Sequence, residues 1–141
     1  MINHACRSKL ILAIFSLLLV LPFCAQVALA ENREFFVSNT GVAGCSDSNN
    51  GSLSNPFCTI ERAAEAAASS TSNITIYLRE GIYLAGGINF AHYKLSWVHL
   101  RNYPGERPVI DCNGRPAAFF LENGIIEGLE IMNFSYYGII C

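Results

Sequence analysis

The sequence predicts an all-β protein built as a parallel β-solenoid, with an N-terminal strand and one short helix that caps the stack. Short apolar strands broken by glycine, asparagine or proline follow one another from Ile74 to Ile140. No gap between them is long enough for a crossover helix, and similar strands recur about every 20 to 25 residues, a solenoid-type period. Hairpin signals are scarce, which disfavours the antiparallel sandwich, the other architecture that accepts such a series.

The first 30 residues predict a secretory signal peptide. Arg7 and Lys9 precede an apolar run that reaches Val20, and the segment ends in the small-x-small sequence Ala28-Leu29-Ala30. An uncleaved membrane anchor is the alternative, but a proline after the apolar run and the small-residue exit favour cleavage. We therefore expect a secreted, extracellular protein with no membrane segment after cleavage.

The charge balance argues against a nucleic-acid partner. The whole chain has 9 Lys and Arg residues and 11 Asp and Glu residues. Cleavage after Ala30 removes two basic residues and no acidic one, so the mature chain keeps seven basic and eleven acidic residues, a net charge of −4. Phosphate binding requires a basic face that releases counterions, and this composition supplies none.

Residues 31–72 are predicted to form the N-terminal cap. Glu34–Ser38 has the aromatic and β-branched content of a strand, and a long polar loop runs from Asn39 to Pro56. Thr59 is placed to cap a helix from about Ile60 to Ser69. The apolar residues of one helical face are Ile60, Ala63, Ala64 and Ala67.

Four cysteines of the mature chain, Cys45, Cys58, Cys112 and Cys141, are disulfide candidates. A Cys45–Cys58 bridge is favoured because it would close the polar loop between them. Cys112 and Cys141 would pair if neighbouring rungs stack, and they are otherwise free or differently paired. A zinc site is the remaining alternative, but the cysteine spacing matches no common finger.

Residues 73–141 are predicted to form the first coils of the solenoid. Strands that recur at equivalent positions are Ile74–Leu78, Trp97–Arg101 and Ala118–Leu121, and the stretch Gly124–Ile131 is a further strand with Gly128 at a corner. The chain reaches Cys141 without a polar cap after Ile140. We therefore expect a solenoid truncated after about three coils and incomplete at its C-terminus.

Six segments in register resemble a known family. They are Phe36-Val-Ser-Asn-Thr-Gly41, the Ser/Asp/Asn/Gly loop, Asn55-Pro-Phe-Cys-Thr-Ile-Glu-Arg-Ala-Ala64, Ile76-Tyr-Leu-Arg-Glu-Gly-Ile-Tyr83, Arg101-Asn-Tyr-Pro-Gly-Glu-Arg-Pro-Val-Ile-Asp111 and Ile126-Glu-Gly-Leu-Glu-Ile131. Together they resemble the N-terminal region of secreted right-handed parallel β-helix proteins of the pectate-lyase-like superfamily. The resemblance covers nearly all of the mature chain.

The resemblance implies an N-terminal fragment of a carbohydrate-active protein that acts as a monomer on polysaccharide or binds it, with acidic polysaccharides among the candidates. In the full-length form it implies β-elimination of the polysaccharide-lyase type, with catalytic residues and calcium sites on later coils. We therefore expect no activity and no cofactor in this fragment, and Ca²⁺ only in the full-length protein. The alternative is a non-enzymatic extracellular or cell-surface solenoid that binds glycan or serves as a rigid rod.

Candidate contacts to a glycan are Lys94, Arg101 and Trp97. The two cations would attract the carboxylates of an acidic polysaccharide, and the indole would stack on a sugar ring. Tyrosines such as Tyr77 and Tyr103 offer further aromatic faces. For Lys94 the alternative is a merely solvated side chain in a loop.

Other polar residues are weaker candidates. Asp47, together with Asn49 and Asn50, has the chemistry of a calcium loop but only one charge, and a solvated turn is the alternative. Glu127 and Glu130 lie three apart across a probable corner, so they are expected to face different sides. His99 is a possible acid or base without a recognisable partner. No catalytic residue or metal ligand is assigned.

Overall fold

The computed structural model describes residues 32–39, 44–68, 70, 72–95 and 97–141. In chain order the elements are β1 (Arg33–Val37), α1 (Ile60–Ala67), β2 (Ile74–Leu78), β3 (Gly81–Leu84), β4 (Ile88–Asn89), a 3-10 turn (Phe90–Tyr93), β5 (Val98–Asn102), β6 (Pro108–Asp111), β7 (Ala117–Phe120), β8 (Gly124–Glu127), β9 (Glu130–Met132) and β10 (Tyr137–Ile140). The predicted signal peptide, residues 1–30, lies outside the described residues. No described helix is long and apolar enough to cross a membrane.

The strands form three sheets, and every strand named above pairs in parallel with its neighbours. The first sheet has the order β1-β2-β5-β8, the second β3-β6-β9 and the third β4-β7-β10. From β2 onward the chain visits the three sheets in turn, so each sheet receives every third strand. This all-β arrangement is compatible with a solenoid. It contradicts the antiparallel sandwich for these strands.

The repeat is clearest in the first sheet. Ile74 pairs with Val98, and Val98 pairs with Gly124, which gives steps of 24 and 26 residues. The prediction that Ala118–Leu121 is the third member of this series is wrong, because most of that segment belongs to β7 of the third sheet. Its apolar residues suit a buried strand of any sheet, so residue type alone did not distinguish the three positions.

Inward-facing side chains stack in rows from strand to strand. Phe35, Ile76, Leu100 and Ile126 occupy equivalent positions in the first sheet. Ile76 and Leu100 are fully buried, and Ile126 is half-buried at the last strand of the row. Adjacent strands lie about 4.8 Å apart, so each strand covers the apolar edge of the one before it.

The helix α1 lies against β1 and the 3-10 turn. The Thr59 hydroxyl accepts a hydrogen bond from the Arg62 amide at 3.2 Å and so caps the helix, as predicted. The predicted apolar face, Ile60, Ala63, Ala64 and Ala67, is buried. The helix ends at Ala67, two residues before the predicted end. Serine and threonine follow it, and their side chains compete for backbone hydrogen bonds.

The polar loop before α1 is held by a disulfide between Cys45 and Cys58, the favoured pairing. Phe57, which directly precedes Cys58, forms backbone hydrogen bonds to both Phe36 and Ser38 at 2.9 Å. The loop therefore covers the free edge of β1. Cys112 is a buried free thiol and Cys141 an exposed one. These two cysteines therefore do not pair with each other, which agrees with the alternative in which both are free.

The predicted strand Gly124–Ile131 is divided into β8 and β9, which belong to different sheets. Gly128 is the corner between them, as expected, and has φ of 68°. A Cβ on this residue would lie 2.1 Å from Oδ1 of Asn102 on the strand beside it. Only glycine therefore fits this corner without a shift of the neighbouring side chain.

Candidate functional site

The outer face of the first sheet carries a group of aromatic and charged side chains that contact one another. Because side chains alternate along a strand, the residues between the buried ones point outward. One outward row runs across all four strands through Phe36, Tyr77, Arg101 and Glu127. We call this row, with Tyr103 and His99 beside it, the aromatic face.

Three rings form the first half of the aromatic face. Phe36 and Tyr77 are stacked, with ring centroids 5.1 Å apart and an interplanar angle of 13°. Tyr103 meets both rings edge-on at 6.1 Å. Each of these side chains is half-buried, so part of the cluster remains accessible to solvent. Such a platform can stack on the apolar face of a sugar ring.

A charged group continues the row toward β8. Arg101 Nη2 lies 3.2 Å from Oε1 of Glu127, and His99 Nε2 lies 3.0 Å from the same oxygen. The Arg101 guanidinium lies 6.0 Å from the Tyr77 ring centroid. Its Nε is buried without a hydrogen-bond partner. Glu127 therefore holds a guanidinium beside the aromatic rings, where it can donate hydrogen bonds to a ligand oxygen.

A second ion pair, between Arg79 and Glu106, lies beside the Tyr103 ring. Glu106 lies on the turn that follows β5. Arg79 lies over the Tyr103 ring at 4.7 Å and binds Glu106, with Nη2 and Oε1 2.7 Å apart. The hydrogen bond from Arg79, together with one from the Glu80 amide at 2.6 Å, lowers the pKa of the Glu106 carboxyl. The same bond raises the pKa of Arg79. This pair fixes the ring position at the edge of the aromatic face.

A cleft of about 340 Å³ adjoins the aromatic face at the end of β5. Asn102 and Glu106 line it on one side, and Gly128, Leu129 and Glu130 on the other. The Asn102 amide donates to the Glu106 carbonyl at 2.8 Å, which orders this wall. The cleft has room for one sugar unit.

No protein-family model, curated protein or solved structure matches this chain. The family resemblance seen in the sequence therefore rests on the residues quoted for it. The function of the aromatic face has to be argued from its geometry.

The structure does not gather the three predicted glycan contacts into one cluster. Arg101 lies on the aromatic face, whereas Trp97 precedes β5 and is 39% exposed. The two are four residues apart, about 13 Å along an extended strand. Lys94 is an exposed residue that ends the 3-10 turn with φ of 53°. Their roles as glycan contacts remain predictions.

Asp47 has a role that neither sequence interpretation anticipated. Its Oδ1 accepts hydrogen bonds from the amides of Cys58 and Thr59 at 2.9 and 3.1 Å, and its Oδ2 accepts from the Thr59 hydroxyl at 3.0 Å. The carboxylate thus anchors the start of α1, although Asp47 itself is exposed. Within the described residues no group of three or more His, Cys, Asp or Glu side chains is placed to hold a metal ion. These residues do not fit a calcium site.

Sequence reasoning missed two members of the aromatic face. The sequence assigns Phe36 only to a strand, and it predicts for Glu127 only that it faces a different side from Glu130. The alternation of Phe35, Phe36 and Val37 does indicate that one phenylalanine faces outward. The pairing of Glu127 with Arg101 depends on the strand register, which the sequence alone did not fix.

Proposed function

We propose that this protein binds polysaccharide on the aromatic face of its first sheet. The observation that carries the proposal is the row in which the stacked Phe36 and Tyr77 rings are followed by the guanidinium of Arg101. Aromatic rings bury the apolar faces of sugars, and a guanidinium binds hydroxyl or carboxylate oxygens. The row runs across the strands, so a glycan chain would span several of them.

We further propose that the fold is a right-handed parallel β-helix of the pectate-lyase-like superfamily. The sequence resemblance supports this assignment. Three parallel sheets that receive strands in turn agree with it, and connections between parallel strands are right-handed in about 98% of cases. A crystal structure with left-handed coils, or with strands in a different order, would contradict the assignment.

The binding proposal is tested by affinity electrophoresis in gels that contain polygalacturonate or a neutral glucan. Tyr77→Ala and Arg101→Gln should each weaken binding by about tenfold, because one removes the stacking ring and the other the guanidinium. Tyr136→Ala is the matched control, since Tyr136 is 74% exposed and lies outside the aromatic face. Equal retardation of all four proteins would contradict the proposal. A preference for polygalacturonate over glucan would show that the glycan is acidic.

Binding without catalysis is the role that these residues support directly. Arg101 is paired with Glu127, and Arg79, beside the face, is paired with Glu106, so each guanidinium is held in place by a carboxylate. The β-elimination expected of the full-length protein stays a prediction. It is tested by the rise in ultraviolet absorbance that an unsaturated uronate product would give on polygalacturonate with calcium. A full-length protein without that rise would contradict the lyase prediction and leave the fold and the binding proposal untouched.

We also propose that the chain is secreted. The Cys45–Cys58 disulfide is weakly compatible with an oxidising, extracellular location. The test is N-terminal sequencing of protein recovered from the culture medium, which should begin at Glu31. Retention of the first 30 residues in a membrane fraction would instead support the uncleaved anchor.

A further inference from the structure

A second cleft lies at the opposite end of the stack, where α1 meets the 3-10 turn. It has a volume of about 350 Å³ and is lined by Glu61, Gly87, Ile88, Asn89, His92 and Tyr93. None of these residues belongs to the aromatic face, and the proposal for that face does not use them. The cleft has room for one hexose-sized ligand.

The charge of this cleft favours a cation. Glu61 is the one carboxylate among the lining residues, and in the described part of the chain it has no ion pair or side-chain hydrogen bond. Lys94 follows Tyr93 in the chain but does not line the cleft. Burial raises the pKa of the Tyr93 hydroxyl, and the nearby carboxylates of Glu65 and Glu61 raise it further. The carboxylates of Glu61 and Glu65 therefore both lie near the Tyr93 ring.

The remaining lining groups suit a sugar ring. His92 and Tyr93 make an edge contact with ring centroids 5.4 Å apart, so they present two aromatic surfaces at right angles. The Asn89 oxygen accepts from the His92 amide at 3.3 Å, which fixes this side chain and leaves its NH₂ group free to donate to a hydroxyl. An aromatic ring next to an unpaired carboxylate is a favourable place for an ammonium group.

We propose that the cleft between α1 and the 3-10 turn binds an amino sugar as its protonated ammonium form. Glu61 binds the ammonium group, Tyr93 packs against the ring, and Asn89 donates to a ring hydroxyl. This site is separate from the aromatic face, so a glycan bound on the aromatic face would leave the cleft free.

The test is isothermal titration calorimetry of the mature chain with glucosamine, with glucose and methylammonium as the two partial probes. Glucosamine should bind at least tenfold more tightly than either one, because each partial probe lacks one half of the recognised chemistry. Glu61→Gln and Tyr93→Leu should each weaken glucosamine binding about tenfold. Glu122→Gln, which removes an exposed acid elsewhere, should leave it unchanged.

Three results would overturn the proposal. They are equal affinity for glucose and glucosamine, equal affinity for methylammonium and glucosamine, or unchanged binding in Glu61→Gln with a wild-type circular dichroism spectrum. Arg101→Gln separates the two sites. It should reduce polysaccharide binding on the aromatic face without changing the glucosamine titration, so either proposal can fail alone.

Discussion

At the scale of single residues, a few side-chain contacts and one glycine fix the aromatic face. Glu106 holds Arg79, which in turn lies over Tyr103, so a carboxylate on a turn determines the position of a ring on the sheet. On β8, Gly124 permits the close approach of the neighbouring strand β5. Both features can be tested by single substitutions.

Glu106→Gln should lower the free energy of unfolding by about 1–2 kcal/mol, because a charge-assisted hydrogen bond becomes a neutral one. The folded-state pKa of Glu106 is lowered, so its contribution is present above the unfolded pKa of about 4.3 and is lost as the pH falls through the folded value. Urea unfolding at pH 7 and at pH 3 checks this. The difference between wild type and variant should shrink at the lower pH, and a constant difference would contradict the assignment.

Gly124→Ala should destabilise the protein by about 2–4 kcal/mol. Gly124 has φ of 151°, and a Cβ there would lie 2.0 Å from the Val98 carbonyl oxygen. Gly138→Ala is the matched control, since its nearest neighbour, a ring carbon of Phe134, would lie 3.6 Å away. Thermal unfolding should show a clear drop for the first variant only. Similar melting temperatures for both would mean that β5 and β8 are less closely paired than described.

At the scale of elements, the N-terminal cap is a small unit with its own internal bonds. The disulfide and the Asp47 carboxylate both act on the few residues that precede α1. These contacts therefore fix the start of the helix, whose apolar face is buried.

Asp47→Ala should destabilise the cap by about 1–3 kcal/mol, because two amides and one hydroxyl lose their acceptor. Ser48→Ala is the control, since Ser48 is the exposed next residue. Chemical denaturation of both variants, with the disulfide intact, measures the difference. Equal stability of the two would show that water replaces the carboxylate at no cost.

The elements of this fold were largely predictable, but their partners were not. The N-cap at Thr59 and the strand Ile74–Leu78 follow from local patterns, and the structure has both. Which strands pair depends on the length of each corner, and the apolar pattern of Ala118–Leu121 suits a buried strand of any of the three sheets. Asp47 was missed for a similar reason, since its donors lie eleven and twelve residues further along the chain.

At the scale of the whole molecule, burial decreases from the capped end toward β10. Ile88 and Phe119 are almost fully buried, whereas Ile139, at the equivalent position on β10, is 38% exposed. Each strand is covered only by its neighbours in the stack, as in other quasi-one-dimensional folds. Local stability should follow the same gradient.

Hydrogen exchange followed by mass spectrometry should detect that gradient. Amides of β2 and β5 should exchange slowest because each strand has a partner on both sides, and those of β10 fastest. The expected difference in protection between β2 and β10 is at least tenfold. Uniform protection across β2, β5 and β10 would show that the stack unfolds only as one unit.

The disulfide also bears on the order in which the chain folds. It joins residues 13 apart, whereas the first pair between β1 and β2, Arg33 with Ile74, joins residues 41 apart. Closing the longer loop costs about 1 kcal/mol more chain entropy. Closing the cap loop therefore costs less chain entropy, and this closure can be complete before β1 pairs with β2. A preformed N-terminal unit is then available as a template for the coils that follow it.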